Sequence, residues 1–251
     1  MSLTSLFGLQ DRVALVTGGS SGIGRAIAIA LADAGAHVIV AARTESTVEA
    51  TVEEICSGGG SAVGIRADLA SSDGAHDLAT AAGQVDVLVN SAGINLRPPM
   101  DRLDEATWES VMAVNVKAPF ILGQRLAPPM AERGFGRIIH ISSQQAHRAF
   151  ASSGAYGVSK AALEGLARSQ AEAWSSKGVT ANVLVPGFVQ TPLNARLSSD
   201  PAAVAALASR TLVGRNGLAS DFAGAAVFLA SPSAGYVTGQ SIAVDGGFSV
   251  H

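Results

Sequence analysis

The chain has 251 residues, 48% of them hydrophobic and only 15% charged, with a net charge of −3 and no Lys/Arg run; nucleic acid and anionic membrane surfaces are therefore poor partners. Cys56 is the only cysteine, which excludes an internal disulfide, and Met1–Arg12 lacks the basic and apolar regions of a secretory leader. With no uncharged apolar run of about 18 residues to span a membrane, the sequence predicts a soluble, cytoplasmic chain forming one domain over residues 1–251, and its low charge suggests that part of the surface is a subunit interface.

In chain order, apolar runs alternate with helical patterns. Val13–Thr17 predicts a first strand and Gly22–Ala34 a helix closed by Gly35. Val38–Ala42 is a second strand, Thr44–Ser57 a second helix stopped by Gly58-Gly59-Gly60, and Ala62–Ala67 a third strand. A helix over Ser71–Ala82 leads to a strand over Val85–Asn90, and a long helix over Asp104–Glu132, which carries Pro119, Pro128 and Pro129, leads to a strand over Arg137–Ser142. A helix over Ala155–Lys177 precedes the strand Val179–Val185, and a last helix, Ser220–Ala230, precedes the strand Ser241–Val244. Strands rich in Val, Ile, Leu and Ala without alternation are covered on both faces. That pattern predicts a doubly wound α/β (Rossmann) fold with a seven-stranded parallel sheet, whose ligands sit at the carboxyl ends of the strands.

Thr17-Gly18-Gly19-Ser20-Ser21-Gly22-Ile23-Gly24 follows the first strand directly and opens a helix. Glycines there allow a sharp turn and close approach of backbone to a pyrophosphate, which the helix N-terminus stabilises. The spacing differs from G-x-G-x-x-G, and Arg25-Ala26 stands where a P-loop needs Lys-Ser/Thr. The position makes Gly18, Ser20, Ser21, Gly22, Ile23 and Gly24 candidate cofactor contacts. At the end of the second strand Ala42 occupies the place of the acid that binds the ribose 2′-hydroxyl of NAD, and Arg43 follows. A guanidinium suits a 2′-phosphate. NADP(H) is thus favoured, with NAD(H) possible through Glu45 as an alternative acid.

Tyr156 and Lys160 are spaced i, i+4 and converge on one helix face. A cation near a phenol favours the phenolate and brings its pKa toward the working range of a proton donor and acceptor. Alone, such a pair is common on helix surfaces. Here Ile138–Ser143 ends a strand in hydroxyls thirteen residues upstream of Tyr156, Asn90-Ser91-Ala92-Gly93 ends another at the same edge, and Pro186-Gly187 a third, with Thr191 shortly after.

From Val13 to Gly247 these motifs resemble the short-chain dehydrogenase/reductase family in its single-domain form. The resemblance implies Ser143 as the residue that polarises the substrate oxygen, Tyr156 as the acid/base, and Lys160 as the residue that lowers the Tyr156 pKa and binds the nicotinamide ribose. It also implies that Asn115 anchors a water linked to Lys160. Cofactor contacts are implied at Asp68 and Leu69, at Asn90, Ala92 and Gly93, and at Pro186, Gly187, Val189 and Thr191, besides Tyr156 and Lys160 themselves. Where the family's commoner turn reads Asn-Asn-Ala-Gly, this chain has Ser91 in second place.

The implied activity is hydride transfer between NADP(H) and a carbonyl or secondary alcohol. A small polar hydroxy or keto compound of the sugar-acid or polyol type is favoured, because the stretch from Asn90 to Pro99 resembles gluconate- and deoxygluconate-type members. The alternative is a 3-oxoacyl thioester on an acidic carrier, for which the mixed charges Arg168, Lys177, Glu164 and Glu172 offer a poor basic rim. A non-catalytic NADP-binding sensor is a remote alternative, since it would not need Asn115, Ser143, Tyr156 and Lys160 together. His147, Gln144, Asn95, Arg97 and the stretch Thr191–Leu197 are candidates for the substrate side. The five histidines show no ligand spacing, so no metal is expected, and Trp108 and Trp174 are expected to pack. Family members commonly pair the two long helices, which implies a homotetramer or a homodimer.

Overall fold

The computed structural model describes residues 2–251; Met1, the first residue of the N-terminal stretch read above, lies outside them. Seven parallel strands form one sheet in the order β3-β2-β1-β4-β5-β6-β7. They are β1 Val13–Thr17, β2 His37–Ala42, β3 Ser61–Arg66, β4 Val87–Asn90, β5 Gly136–Ile141, β6 Val179–Pro186 and β7 Ser241–Val244. The helices are α1 Leu3–Phe7, α2 Gly22–Asp33, α3 Glu45–Ser57, α4 Ser72–Ala82, α5 Glu105–Met112, α6 Ala118–Glu132, α7 Gly154–Trp174, α8 Ala195–Ser198, α9 Pro201–Ala208 and α10 Ala223–Ala230. Among the described residues no helix is long and apolar enough to cross a membrane.

The unalternating strands behave as their composition requires. Ala14 and Val16 of β1 join one core cluster with α2, α3 and α10, while Leu15 between them joins the other with α4, α6 and α7. Val38 and Val40 against Ile39 and Ala41 repeat the division in β2. Successive side chains point to opposite faces, and helices cover both. The strand order reverses between β1 and β4, and the crevice at their carboxyl ends is where such sheets bind ligands. Thr17 lies beside Asn90, and Asn90 beside His140, so the ends of β1, β4 and β5 are level.

The long helix expected over Asp104–Glu132 is broken by a π-helical turn, Ala113–Lys117, between α5 and α6. Pro119 explains the break: it has no N–H to donate to the carbonyl of Asn115 four residues back, and its ring would crowd that carbonyl in a regular α-helix. The Ala118 N–H reaches back five residues to Ala113 instead. The helices α1, α8 and α9 were not foreseen from the sequence. Trp174 packs partly buried against the core, whereas Trp108, expected to pack, is 37% exposed.

Beneath the crevice runs a buried polar chain. His140 is fully buried, with Nε2 2.7 Å from Gln170 Oε1 and Nδ1 3.3 Å from Asn90 Nδ2. Those partners fit the neutral ring with its proton on Nε2. Burial, helped by the charge of Lys160 and opposed by Gln170, takes His140 from the ordinary 6.5 to about 4. In that interval the unfolded chain binds a proton that the folded chain does not, so stability falls as pH falls from 6.5 toward 4, by roughly 3 kcal/mol for the full shift. Urea titrations across this range should show that slope in the wild type and a slope shallower by about one proton in His140→Gln. Equal slopes would contradict the assignment.

Candidate active site

The site begins with the turn after β1. Thr17 Oγ1 accepts hydrogen bonds from the backbone N–H groups of Ser91 and Ala92, each at 3.2 Å, which ties the end of β1 to the loop after β4. Gly18 has φ +65°, and a Cβ there would stand 2.8 Å from the Ala92 nitrogen. A Cβ on Gly24 would stand 2.3 Å from the Gly18 carbonyl oxygen. These positions accept only glycine, and the result is a thin backbone layer capped by the N-terminus of α2. The first-turn N–H groups of that helix have no partner within it, which suits a phosphate.

A cleft runs along the sheet edge in two parts that share Gly18, Ser21, Ala92, Gly93 and Pro192. One part is bounded by Ser20, Arg43, Thr44, Asp68 and Leu69. Arg43 is exposed, and its carbonyl accepts a hydrogen bond from Arg66 Nε at 3.3 Å, so two guanidinium side chains flank the end of β2. Sequence reading did not single out Arg66; its neighbour in register, Ala42, was the available signal. Asp68 Oδ1 accepts from Ala70 N–H at 3.0 Å, which fixes the loop after β3, and Ser71 rather than Asp68 caps α4. The shape and donors of this part fit the adenosine and phosphate end of a dinucleotide.

The other part holds Ile23, Ser143, Tyr156, Lys160, Pro186, Gly187, Val189 and Thr191. Tyr156 and Lys160 are both nearly buried on the first turns of α7. Burial pushes Tyr156 up to about 12, while the neighbouring Ser143 hydroxyl and then the Arg97 guanidinium pull it back. Burial also takes Lys160 down to about 8. Its Nζ donates to the Ile141 carbonyl at 2.8 Å and stands 5.5 Å from the centre of the Tyr156 ring. The Lys160 ammonium is thus turned to the end of β5, and the Arg97 guanidinium is a second cation near enough to the phenol to favour its ionised form.

Asn115 is fully buried behind Gly93, in the π turn. Its Oδ1 accepts from Ile94 N–H at 2.9 Å, and its Nδ2 donates to the Ile94 carbonyl and to Ser159 Oγ, both at 3.0 Å. The side chain is thus spent joining the loop after β4 to α7. Asn90, expected among the cofactor contacts, lies outside both parts of the cleft, because its carboxamide turns into the sheet toward His140.

On the substrate side the cavity takes in Arg97, Gln144, Gln145, Phe150, Leu193, Asn194, Leu197 and Leu207. Gln145, Phe150 and Leu207 carried no sequence signal, since each reaches the cavity through loop and α9 geometry that spacing does not reveal. His147 and Asn95 do not line it: His147 Nε2 lies 3.0 Å from Glu164 Oε1, and Asn95 Nδ2 lies 3.5 Å from Asn194 Oδ1.

Comparison with known proteins agrees with this geometry. A family model described as enoyl-(acyl carrier protein) reductase matches residues 18–249. Gluconate 5-dehydrogenase of Gluconobacter oxydans is 36% identical over 100% of this chain and 99% of its own length. Galactitol 2-dehydrogenase (L-tagatose-forming) of Cereibacter sphaeroides is 38% identical over 100% of both chains. The crystal structure of a gluconate 5-dehydrogenase from Burkholderia cenocepacia in complex with NADP and tartrate superposes with a TM-score of 0.92 at 34% identity, covering 100% of each chain. With the glycine turn, Ser143, Tyr156 and Lys160 in one cleft and relatives that match end to end, the chain belongs to the short-chain dehydrogenase/reductase family, whose members are NAD(P)-dependent oxidoreductases acting on CH–OH groups.

Proposed function

We propose that this enzyme interconverts a hydroxy sugar acid and the corresponding keto acid with NADP(H), gluconate being the model substrate. The observation that carries this reading is Arg97, a partly buried cation in the same cavity as Ser143 and Tyr156. Its Nη2 donates to the Ala151 carbonyl at 2.6 Å and its Nε to the Ser152 carbonyl at 3.3 Å. Two of five donors are then held by backbone, and three remain for a carboxylate. Ser152 has φ +54°, a strained value for a non-glycine residue, which accompanies this arrangement of carbonyls.

Tyr156 gives its proton to the substrate oxygen in reduction and takes it in oxidation, while the Ser143 hydroxyl donates a hydrogen bond to the same oxygen. When bound, the nicotinamide supplies or accepts the hydride. Gly18, Ser20, Ser21, Gly22, Ile23 and Gly24 hold its phosphates, Asp68 and Leu69 border the adenine, and Ala92 and Gly93 floor the cleft. Lys160, Pro186, Gly187, Val189 and Thr191 surround the nicotinamide end. Asn115 ties the loop at Ile94 to Ser159, the residue before Lys160, and its carbonyl, to which Pro119 offers no N–H, would take a water.

The test is turnover of D-gluconate with NADP⁺, and of its keto product with NADPH, followed by absorbance of the reduced nicotinamide. Turnover of a 3-oxoacyl thioester in place of any sugar acid would move the reading to the carrier-linked reaction, and cofactor binding without turnover on either would make the protein a sensor. Arg43 carries the choice between a cofactor with a 2′-phosphate and one with a 2′-hydroxyl. Arg43→Ala should lower the preference for NADPH over NADH by about tenfold, as loss of one charge-assisted contact implies, and an unchanged ratio would remove Arg43 from the assignment. We also propose that α5, α6 and α7 form subunit contacts in a homotetramer, since Trp108, Phe120 and Val158 on them are exposed to 37%, 45% and 47%. Sedimentation as a monomer would contradict this.

A further inference from the structure

Gln144 is an anomaly in the wall of the substrate cavity. It lines that cavity and is only 7% exposed, yet its Oε1 is buried without a hydrogen-bond partner. Its neighbour Gln145 lines the same cavity but has a structural task, since its Oε1 accepts from Ser153 Oγ at 2.7 Å. A buried acceptor left unmatched is costly, and native proteins rarely keep one without a use for it. The local fold does nothing to relieve it. Gln144 begins a short 3-10 turn, Gln144–Ala146, whose cap is Ser143: the Ser143 Oγ accepts from Gln145 N–H at 3.2 Å. The turn thus holds the Ser143 hydroxyl and sets the Gln144 backbone directly beside it.

We propose that Gln144 is a specificity-determining residue whose carboxamide turns about its last torsion to present its closed-off oxygen to a substrate hydroxyl close to the carbon that is oxidised or reduced. This rests on the sugar-acid reading of the site. Ser143 and Gln144 are neighbours in the chain and line the same cavity, so a group that meets Gln144 lies on the part of the substrate beside the oxygen that meets Ser143. Arg97 takes the charged end of the acid, and Gln144 reads the polyol beside the reaction. A simple ketone leaves the Gln144 acceptor unmatched and is disfavoured for that reason.

The experiment compares wild type with Gln144→Met and Gln144→Leu on paired substrates, gluconate and an analogue that lacks the neighbouring hydroxyls, with NADP⁺ affinity and thermal melting recorded for each protein. The expected result is a loss of about 10- to 100-fold in kcat/KM on gluconate, a clearly smaller change on the deoxygenated analogue, and unchanged NADP⁺ affinity. Because an unmatched amide is replaced by apolar atoms, the melting temperature should hold or rise. A structural glutamine would lower it. Equal losses on both substrates, or weakened NADP⁺ binding, would overturn the proposal, as would unchanged kinetics on both. If the wild type turns over no sugar acid, the functional reading fails by itself, and the Gln144 comparison is then made on an α-hydroxyketone and the matching simple ketone, with the same outcomes deciding it.

Discussion

Tyr156→Phe should cost at least about two orders of magnitude in kcat in both directions, with little change in the affinity for NADP(H). The substitution removes one oxygen and leaves the ring that packs on the first turn of α7. The loss therefore reads proton transfer rather than folding. Tyr156 is nearly buried, and burial outweighs Ser143 and Arg97 in holding it up to about 12. At neutral pH it is a phenol. That state is the one needed to protonate a developing alkoxide, so reduction should be nearly flat with pH around neutrality. Oxidation needs the phenolate, whose fraction grows tenfold per pH unit below the pKa. The wild-type rate of oxidation should accordingly climb through the alkaline range, and the residual rate of Tyr156→Phe should not. A variant that keeps the wild-type rate, or keeps the alkaline climb, would take the acid/base role away from Tyr156.

The β-sheet was legible because its signal is compositional. Runs such as Leu15-Val16 and Val38-Ile39-Val40 must be buried on two faces, and a parallel doubly wound sheet is the architecture that does this. The glycine turn was legible for a similar reason, since a Cβ at Gly18 or Gly24 has nowhere to go. The break in the long helix was visible only as Pro119. Its consequence, a π turn that presents Asn115, depends on how the following residues find their acceptors. Orientation was the least accessible. Spacing put Lys160 on the same face as Tyr156, but it could not show the ammonium turned to the Ile141 carbonyl, nor Arg97 brought in by contacts 54 and 55 residues away in sequence. The orientation of Asn90 was equally hidden: its position at the strand end is legible, and the turn of its carboxamide toward His140 is a tertiary fact.

Arg97→Met should raise KM for gluconate by roughly 10- to 150-fold, as loss of a charge-assisted hydrogen-bonded pair worth about 1.5–3 kcal/mol implies, while affecting much less the kcat/KM for any neutral hydroxy compound that the wild type accepts. The cation is well placed to discriminate. Burial and the like charge of Arg196 on α8 lower the Arg97 pKa, and the phenol of Tyr156 opposes them. A substrate carboxylate beside Arg97 would offset that like-charge repulsion. The same substitution acts on Tyr156, because Arg97 is one of the groups that lower its pKa. Without it the phenol ionises at higher pH, so the alkaline climb of the oxidation rate should move further up the pH scale. Arg97→Lys separates the two effects. Lysine keeps the charge and should hold the pH profile near that of the wild type, but it lacks the planar fork that spans the Ala151 and Ser152 carbonyls and a carboxylate together, so KM should still rise. If Arg97→Met weakens acid and neutral substrates alike and leaves the pH profile unmoved, Arg97 is only a brace for the loop at Ser152, and the carboxylate must be held elsewhere.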